Sequence, residues 1–204
     1  MILLLLILSV VGFFFAIGYV KVRRQQVLAI IASVAMLVFS TILVIGNMSY
    51  HWGMKSVTIE QRTGIYSVSQ KNEVRFIIAE PIGTQGDSLA VVYKDDVKAT
   101  KESVAKPDLR VTNKVERTQG AIAYKLVEKT KKVYRSNFAK FLFGIVGNDG
   151  IIKQTTNTFF VPKDWHVFTP MQAKKLQEHF EQIAHGEENG KDMEKVLEEI
   201  ESIK

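Results

Sequence analysis

Two long apolar runs at the start of the chain constrain its fold more than any other feature. Residues 1–20 and 27–46 each hold twenty consecutive residues without a charged side chain. A helix of that length spans about 30 Å, the hydrocarbon thickness of a bilayer. Lipid offers the backbone no hydrogen-bond partners, so both runs are predicted to be transmembrane helices, the second reaching residue 48.

The link between the two runs predicts how they are oriented. Residues 21–26 carry Lys21, Arg23 and Arg24, the only charged side chains in residues 1–54. Positive loops stay cytoplasmic, so we expect a two-pass protein of the cell membrane with both termini extracytoplasmic. The predicted membrane-interface anchors are Tyr19, Lys21, Arg23, Arg24, Tyr50 and Trp52.

A cleaved signal peptide is the competing interpretation of residues 1–20. Such a peptide needs a basic segment before a shorter apolar core. Here the chain begins Met1-Ile2-Leu3, and the basic residues follow the apolar run instead of preceding it. The pattern favours an uncleaved hairpin.

Small residues recur at a spacing of four in both runs. Gly12 and Ala16 lie in the first run, and Ala29 and Ser33 lie in the second. This spacing lets membrane helices approach closely, which predicts packing within the hairpin or a docking face for another membrane protein. Neither run contains an ionisable residue, which argues against an ion or proton path.

The remainder of the chain differs sharply in composition. Residues 55–204 hold all 21 acidic residues, and their length suffices for one independent core. We therefore predict a transmembrane hairpin in residues 1–54 and an extracytoplasmic α+β domain in residues 55–204. That domain is expected to have a mainly antiparallel sheet followed by two C-terminal amphipathic helices.

Several short segments in succession have the pattern of strands. Residues 109–117 alternate apolar and polar side chains, a period of two that indicates a strand with one solvated face. Gln119-Gly120 is the predicted hairpin turn after it. The predicted strands are residues 56–61, 64–69, 73–80, 88–94, 109–117, 121–129 with an extension over 132–136, and 151–162.

Two helices are predicted at the end of the chain. Thr169, Pro170 and Gln172 form a helix start, with Thr169 as N-cap and Gln172 as its capping-box partner. A second amphipathic helix is predicted over residues 192–203, which carry apolar residues on one side and acids on the other.

Residues 138–146 form the most unusual segment of the tail. They are too few to span a bilayer, and periodicity does not decide between two interpretations. One is a buried element of the core. The other is an apolar surface that contacts the membrane or a partner, preceded by several basic residues. The candidate contact residues are Phe138, Phe141, Leu142, Phe143 and Ile145.

The sequence predicts no catalytic residues, no metal site and no cofactor. There is no cysteine, the four histidines lack metal-site spacing, and no nucleophile elbow, P-loop or dinucleotide fingerprint occurs. A net charge of +6 without a recognised motif does not predict nucleic-acid binding. The enzymatic alternative is an envelope hydrolase that uses the tail carboxylates Glu80, Asp149 and Asp164.

Two stretches carry a resemblance to a known family. YRSNFAKFLFGIVGNDG, residues 134–150, and TNTFFVPKDWHVFT, residues 156–169, resemble an uncharacterised family of Gram-positive bacterial membrane proteins. That family pairs an N-terminal two-helix hairpin with a C-terminal domain of unknown function. The resemblance implies no established activity. Its loose association with multidrug efflux permeases implies an accessory role beside a transporter.

Taken together, these patterns predict a non-enzymatic interaction module of the membrane surface. Its expected partners are the lipid bilayer and a membrane or envelope protein, such as an efflux transporter. Self-association stays open, and so does a ligand-sensing module that signals through the hairpin. The short cytoplasmic loop offers little for such signalling.

Overall fold

A computed structural model of the chain describes residues 1–69, 74–83, 88–184 and 193–202. The chain divides into two compact units. The hairpin unit comprises Met1–Thr58 and Thr130–Lys153, and the sheet unit comprises Ile59–Lys129 and Gln154–Lys204. The boundaries between them fall inside three strands. The domain boundary after residue 54 stays a prediction.

The two apolar runs form the predicted long helices, α1 (Ile2–Tyr19) and α2 (Arg23–Tyr50). Both are long and apolar enough to cross a membrane, and only 17% and 6% of their most apolar windows is buried. Their connection is shorter than the predicted six residues, because α2 already begins at Arg23. Gln26 in the first turn of α2 donates a hydrogen bond to the carbonyl of Ile17, at 3.2 Å.

In the part of the chain that the structure describes, eight strands form two four-stranded sheets. Their orders are β1-β6-β7-β5 and β4-β3-β2-β8. The strands are β1 (Met54–Gly64), β2 (Phe76–Ile82), β3 (Ser88–Tyr93), β4 (Ser103–Ala105), β5 (Val111–Thr118), β6 (Tyr124–Tyr134), β7 (Ile151–Pro162) and β8 (His166–Phe168).

The prediction of a mainly antiparallel sheet is wrong, because both sheets are mixed. β2 pairs antiparallel with β3 but parallel with β8, and β5 pairs parallel with β7. Residues 119–120 therefore do not form a hairpin turn, since β7 lies between β5 and β6 in the sheet. Alternation along a strand reports which face is solvated, and it carries no information about the neighbouring strand.

Two strand boundaries also differ from the prediction. The separate strands predicted over residues 56–61 and 64–69 are replaced by the single strand β1, which ends at Gly64. Tyr66 then makes an isolated bridge to Lys94. In contrast, residues 121–129 and 132–136 supply one continuous strand, β6.

Among the described residues there are three further α-helices: α3 (Asn137–Phe143), α4 (Pro170–Ala184) and α5 (Met193–Glu201). The predicted capping box at the start of α4 is confirmed. Thr169 N–H donates to Gln172 Oε1 at 2.8 Å, and Gln172 N–H donates to Thr169 Oγ1 at 3.3 Å. Both C-terminal helices are short, and the predicted ends of the last one, residues 192 and 203, lie outside the described residues.

The sheet unit buries its apolar side chains in two clusters. One surrounds Phe159 and includes Val161 and Trp165. The other packs Phe168 of β8 against Leu176 of α4. Asn113, fully buried on β5, donates to the carbonyls of Leu89 and Ala105 and so ties the two sheets together.

Candidate functional site

The outer surface of the hairpin is its most unusual property. Large apolar side chains such as Phe14, Phe15 and Phe39 are more than half exposed along both helices. Soluble monomers rarely expose a contiguous apolar surface of this extent. An apolar surface of this extent is typical of helices that contact lipid or an apolar protein partner.

Small and polar side chains lie between the two helices. On α1 the buried residues Ile2, Ser9 and Ala16 recur every seven positions, the repeat of a left-handed helix pair. A Cβ atom added to Gly12 would lie 3.1 Å from Ser33 Oγ.

The structure thus places the predicted packing residues inside the hairpin. Gly12, Ala16 and Ser33 line its seam, and Ala29 is half-buried. Since these small side chains face inward, a protein that docks on the hairpin from outside would meet large apolar side chains.

The segment that periodicity left undecided contains a short helix, α3. Ser136 caps its start, and its hydroxyl accepts a hydrogen bond from Ala139 N–H at 3.1 Å. After a single 3₁₀ turn over Gly144–Val146, Gly147 adopts a positive φ of 77°, which ends the helical stretch.

This helix packs on the ends of the hairpin. Its inward residues Ala139 and Phe143 form a buried cluster with Ile2 and Tyr134. The nitrogen of Met1 donates to the carbonyl oxygen of Phe141 at 3.2 Å. The beginning of α1 and the end of α2 therefore lie beside α3, at the same end of the hairpin.

The five candidate contact residues of this segment divide between two faces. Phe143 is buried in the cluster and Leu142 is half-buried against it. Phe138, Phe141 and Ile145 point outward, with exposed fractions of 71%, 60% and 64%. We call these last three residues the α3 face. The inward residues hold the helix in place and the α3 face remains available for contact.

A buried amide joins α2 to the loop that follows α3. Asn47 is fully buried, and its Nδ2 donates to the carbonyl of Trp52 at 2.8 Å. Asn148 Nδ2 donates in turn to Asn47 Oδ1 at 3.2 Å. This bridge was not predicted from the sequence. The available signal was a lone amide near the end of an apolar run.

Trp52, a predicted interface anchor, folds back over the end of α2. The backbone N–H of Trp52 donates to the carbonyl of Gly46 at 3.1 Å. His51, the residue before Trp52, adopts the left-handed conformation with φ 58° and so turns the chain back. A Cβ atom at Gly46 would lie 2.3 Å from the indole ring. Only glycine therefore leaves room for this arrangement. Tyr50 and Tyr19, also predicted anchors, are largely exposed at opposite ends of the hairpin.

Tyr134 connects α3 to the following loop. Its hydroxyl donates to the carbonyl of Phe143 at 2.8 Å, and its N–H donates to Asp149 Oδ1 at 3.4 Å. Lys140 Nζ lies 3.8 Å from Asp149 Oδ2. Burial raises the pKa of Tyr134 above the ordinary 10.0, and the negative charge of Asp149 raises it further.

Positive charge is concentrated next to α3. Residues 51–58 and 130–153 contain six lysines and arginines against one aspartate, a net charge of +5. These basic residues are Lys55, Lys131, Lys132, Arg135, Lys140 and Lys153. The predicted cytoplasmic residues Lys21, Arg23 and Arg24 are exposed at the hairpin connection.

The carboxylates of the hydrolase alternative belong to different surroundings. Asp149 contacts Lys140 in the hairpin unit, whereas Asp164 lies 3.6 Å from Arg75 in the sheet unit. Glu80 is exposed on β2. Within the described part of the chain, no three histidines, aspartates or glutamates are grouped to hold a metal. The hydrolase stays a prediction.

The sheet unit also has a partly open pocket of about 480 Å³. It lies between β2 and α4, and its apolar walls include Phe76, Ile78 and Phe180. Glu102 and Lys174 stand among its polar lining residues. Its volume is within the range of small-molecule sites.

Residues 22–176 match a family model described as Domain of unknown function (DUF4811). The chain belongs to this family. The DUF4811 match includes all of α2, all of α3 and every strand of the described residues, so the hairpin end and the α3 face both lie within the family domain. No curated protein and no solved structure matches the chain.

Proposed function

We propose that this DUF4811 protein is a membrane-anchored extracytoplasmic module that binds an integral membrane or envelope protein. The observation that carries the proposal is the apolar outer surface of two helices long enough to cross a bilayer. Anchoring confines the module to the surface where its partner resides and raises its effective concentration there.

The orientation rests on the positions of charge at the two ends of the hairpin. Lys21, Arg23 and Arg24 lie at the connection between the helices, and α3 lies at the opposite end. Because positive loops remain cytoplasmic, α3 and the sheet unit face outward. The resemblance of residues 134–150 and 156–169 supports a Gram-positive envelope as the setting.

An accessory subunit of an efflux transporter is the specific form that we favour. The large outward side chains of the hairpin, including Phe14 and Phe39, offer a lipid-exposed surface to a multi-span partner. Membrane helices associate through shape-matched packing, so exposed aromatic side chains can act as knobs in grooves of the partner.

Co-purification from native membrane in mild detergent, followed by mass spectrometry, tests the proposal. We expect a multi-span protein at stoichiometric yield. Replacing both Phe14 and Phe39 with alanine should lower that yield at least about tenfold, because interfacial aromatics often contribute about 2 kcal/mol each. Ala16→Gly in the seam serves as the matched control. Recovery of the chain alone, or only as a homo-oligomer, would contradict the accessory role.

A further inference from the structure

We infer that α3 is an interfacial helix whose exposed face binds an anionic lipid surface. This inference rests on the proposed function, because it requires the hairpin to span the bilayer. The bilayer that holds the hairpin is the partner that contacts the α3 face. This bilayer can accommodate the apolar side chains and attract the neighbouring positive charge.

The first argument for this inference is the spacing of the residues of the α3 face. Phe138 and Phe141 are three residues apart on α3, which places them on one side of the helix, and Ile145 in the following 3₁₀ turn is exposed as well. Ala139 and Phe143 occupy the opposite side and are buried in the cluster. The exposed rings of Phe138 and Phe141 therefore do not contribute to the buried packing of the hairpin unit.

The second argument is the continuity of the α3 face with the surface of the hairpin. The carbonyls of Phe141 and Leu142 accept hydrogen bonds from the nitrogen of Met1, at 3.2 and 3.4 Å. Met1, which precedes α1, and Leu4 in its first turn are about half exposed. The α3 face is thus joined to the end of a membrane helix, at the depth where aromatic side chains meet headgroups.

The third argument is the charge complementarity between the basic residues beside α3 and anionic lipid. Arg135 and Lys140 are exposed, and Lys131 and Lys132 are half-exposed at the adjoining end of β6. Lysines and arginines near a bilayer attract anionic lipids within a Debye length. An apolar face flanked by basic residues is the composition of a helix that lies in the interface.

The absence of native cysteine allows a direct measurement on the full chain. Phe141→Cys, labelled with an environment-sensitive fluorophore, is reconstituted into phosphatidylcholine vesicles with and without phosphatidylglycerol. Doxyl-labelled phosphatidylcholine then quenches any label that enters the bilayer. Ile122→Cys, exposed in the sheet unit, is the matched control. Phe138→Cys repeats the measurement at a second position.

We expect quenching at residues 141 and 138 to exceed that at residue 122 by at least about threefold. Quenching should increase with phosphatidylglycerol. Replacing Lys131, Lys132 and Arg135 with glutamine should abolish that increase.

Quenching at residue 141 equal to the control would overturn the inference. So would an apolar environment without quenching, because it would indicate a second copy as the occupant. Quenching that does not change with phosphatidylglycerol would contradict the proposed preference for anionic lipid. The vesicles contain no other protein, so failure to find a transporter partner would leave these results unchanged.

Discussion

The two units of this chain place their apolar side chains in opposite locations. In the sheet unit Phe159, Phe168 and Leu176 are almost fully buried. In the hairpin unit Phe14, Phe39 and Phe141 are more than half exposed. The sheet unit therefore excludes water with its own core, whereas the hairpin unit presents apolar side chains outward, as helices in an apolar surrounding do.

Charge divides along the same boundary. The hairpin unit has nine basic residues and one acid, whereas the sheet unit has 18 basic residues and 20 acids. The modest overall charge of +6 thus conceals a unit of +8 and a unit of −2. Positive charge beside an apolar surface is typical of a membrane-adjacent segment.

The strongest test of the contrast compares a buried with an exposed phenylalanine. Phe159→Ala should cost about 3–5 kcal/mol, because it leaves a cavity in the sheet unit. Phe14→Ala should change the free energy of unfolding by less than about 0.5 kcal/mol in detergent. Denaturant titration of the full-length variants in single-tryptophan backgrounds gives both values, with Trp165 fluorescence reporting on the sheet unit and Trp52 fluorescence on the hairpin unit. Similar losses would remove the distinction between the units.

A second test compares the fully buried asparagines of the two units. Asn47→Ala and Asn113→Ala should each destabilise by about 1–3 kcal/mol, because each removes several hydrogen bonds made by a fully buried amide. Asn47→Ala should also speed hydrogen exchange in residues 147–150, since Asn148 loses its acceptor. Thr41→Ala is the control, as its hydroxyl bonds within its own helix. Unchanged exchange after Asn47→Ala would show that the bridge does not hold the loop.

A third test compares two glycines of the hairpin. Gly46→Ala places a Cβ atom against the Trp52 ring and should cost about 1–3 kcal/mol through overpacking. Among the described residues, no atom lies within 4 Å of a Cβ atom at Gly18, so Gly18→Ala should be neutral or slightly stabilising. Trp52 fluorescence in a Trp165→Phe background reports the displacement. An unchanged spectrum in Gly46→Ala would contradict the packing.

The smallest expected effect is a pH dependence at Tyr134. Its pKa is raised in the folded state, so the ionised side chain favours unfolding. Its stabilising contribution is complete below the ordinary pKa of 10.0 and is lost as pH rises through the folded pKa. Tyr134→Phe should lower the free energy of unfolding by about 0.5–1.5 kcal/mol at neutral pH, because it removes the hydrogen bond of the hydroxyl. Its stability should also decline less steeply than that of the unaltered protein as the pH becomes alkaline. Denaturant titration at neutral pH and at several alkaline pH values measures both effects, and parallel alkaline declines of the two proteins would contradict this assignment.

Local chemistry allowed several elements to be predicted from sequence. The absence of charge over residues 1–20 and 27–46 led to both long helices, and Thr169 with Gln172 marked the start of α4. These signals involve neighbouring residues and need no knowledge of tertiary contacts. They remain valid in any fold that contains these segments.

Pairings between distant segments could not be predicted in the same way. The parallel partners β5 and β7 are separated in sequence by β6 and α3, and alternation along a strand does not identify its neighbour. The two faces of α3 span few residues, so only the packing of Ala139 and Phe143 separates them from Phe138 and Phe141.

The central claim is that the hairpin spans a bilayer with the sheet unit outside. Single cysteines at Val22 in the connection and Val97 in the sheet unit, both exposed, test it with a membrane-impermeant maleimide on intact cells. The account predicts labelling of the Val97→Cys protein at once, and of the Val22→Cys protein only after permeabilisation. Immediate labelling at position 22, or protection at position 97, would contradict it.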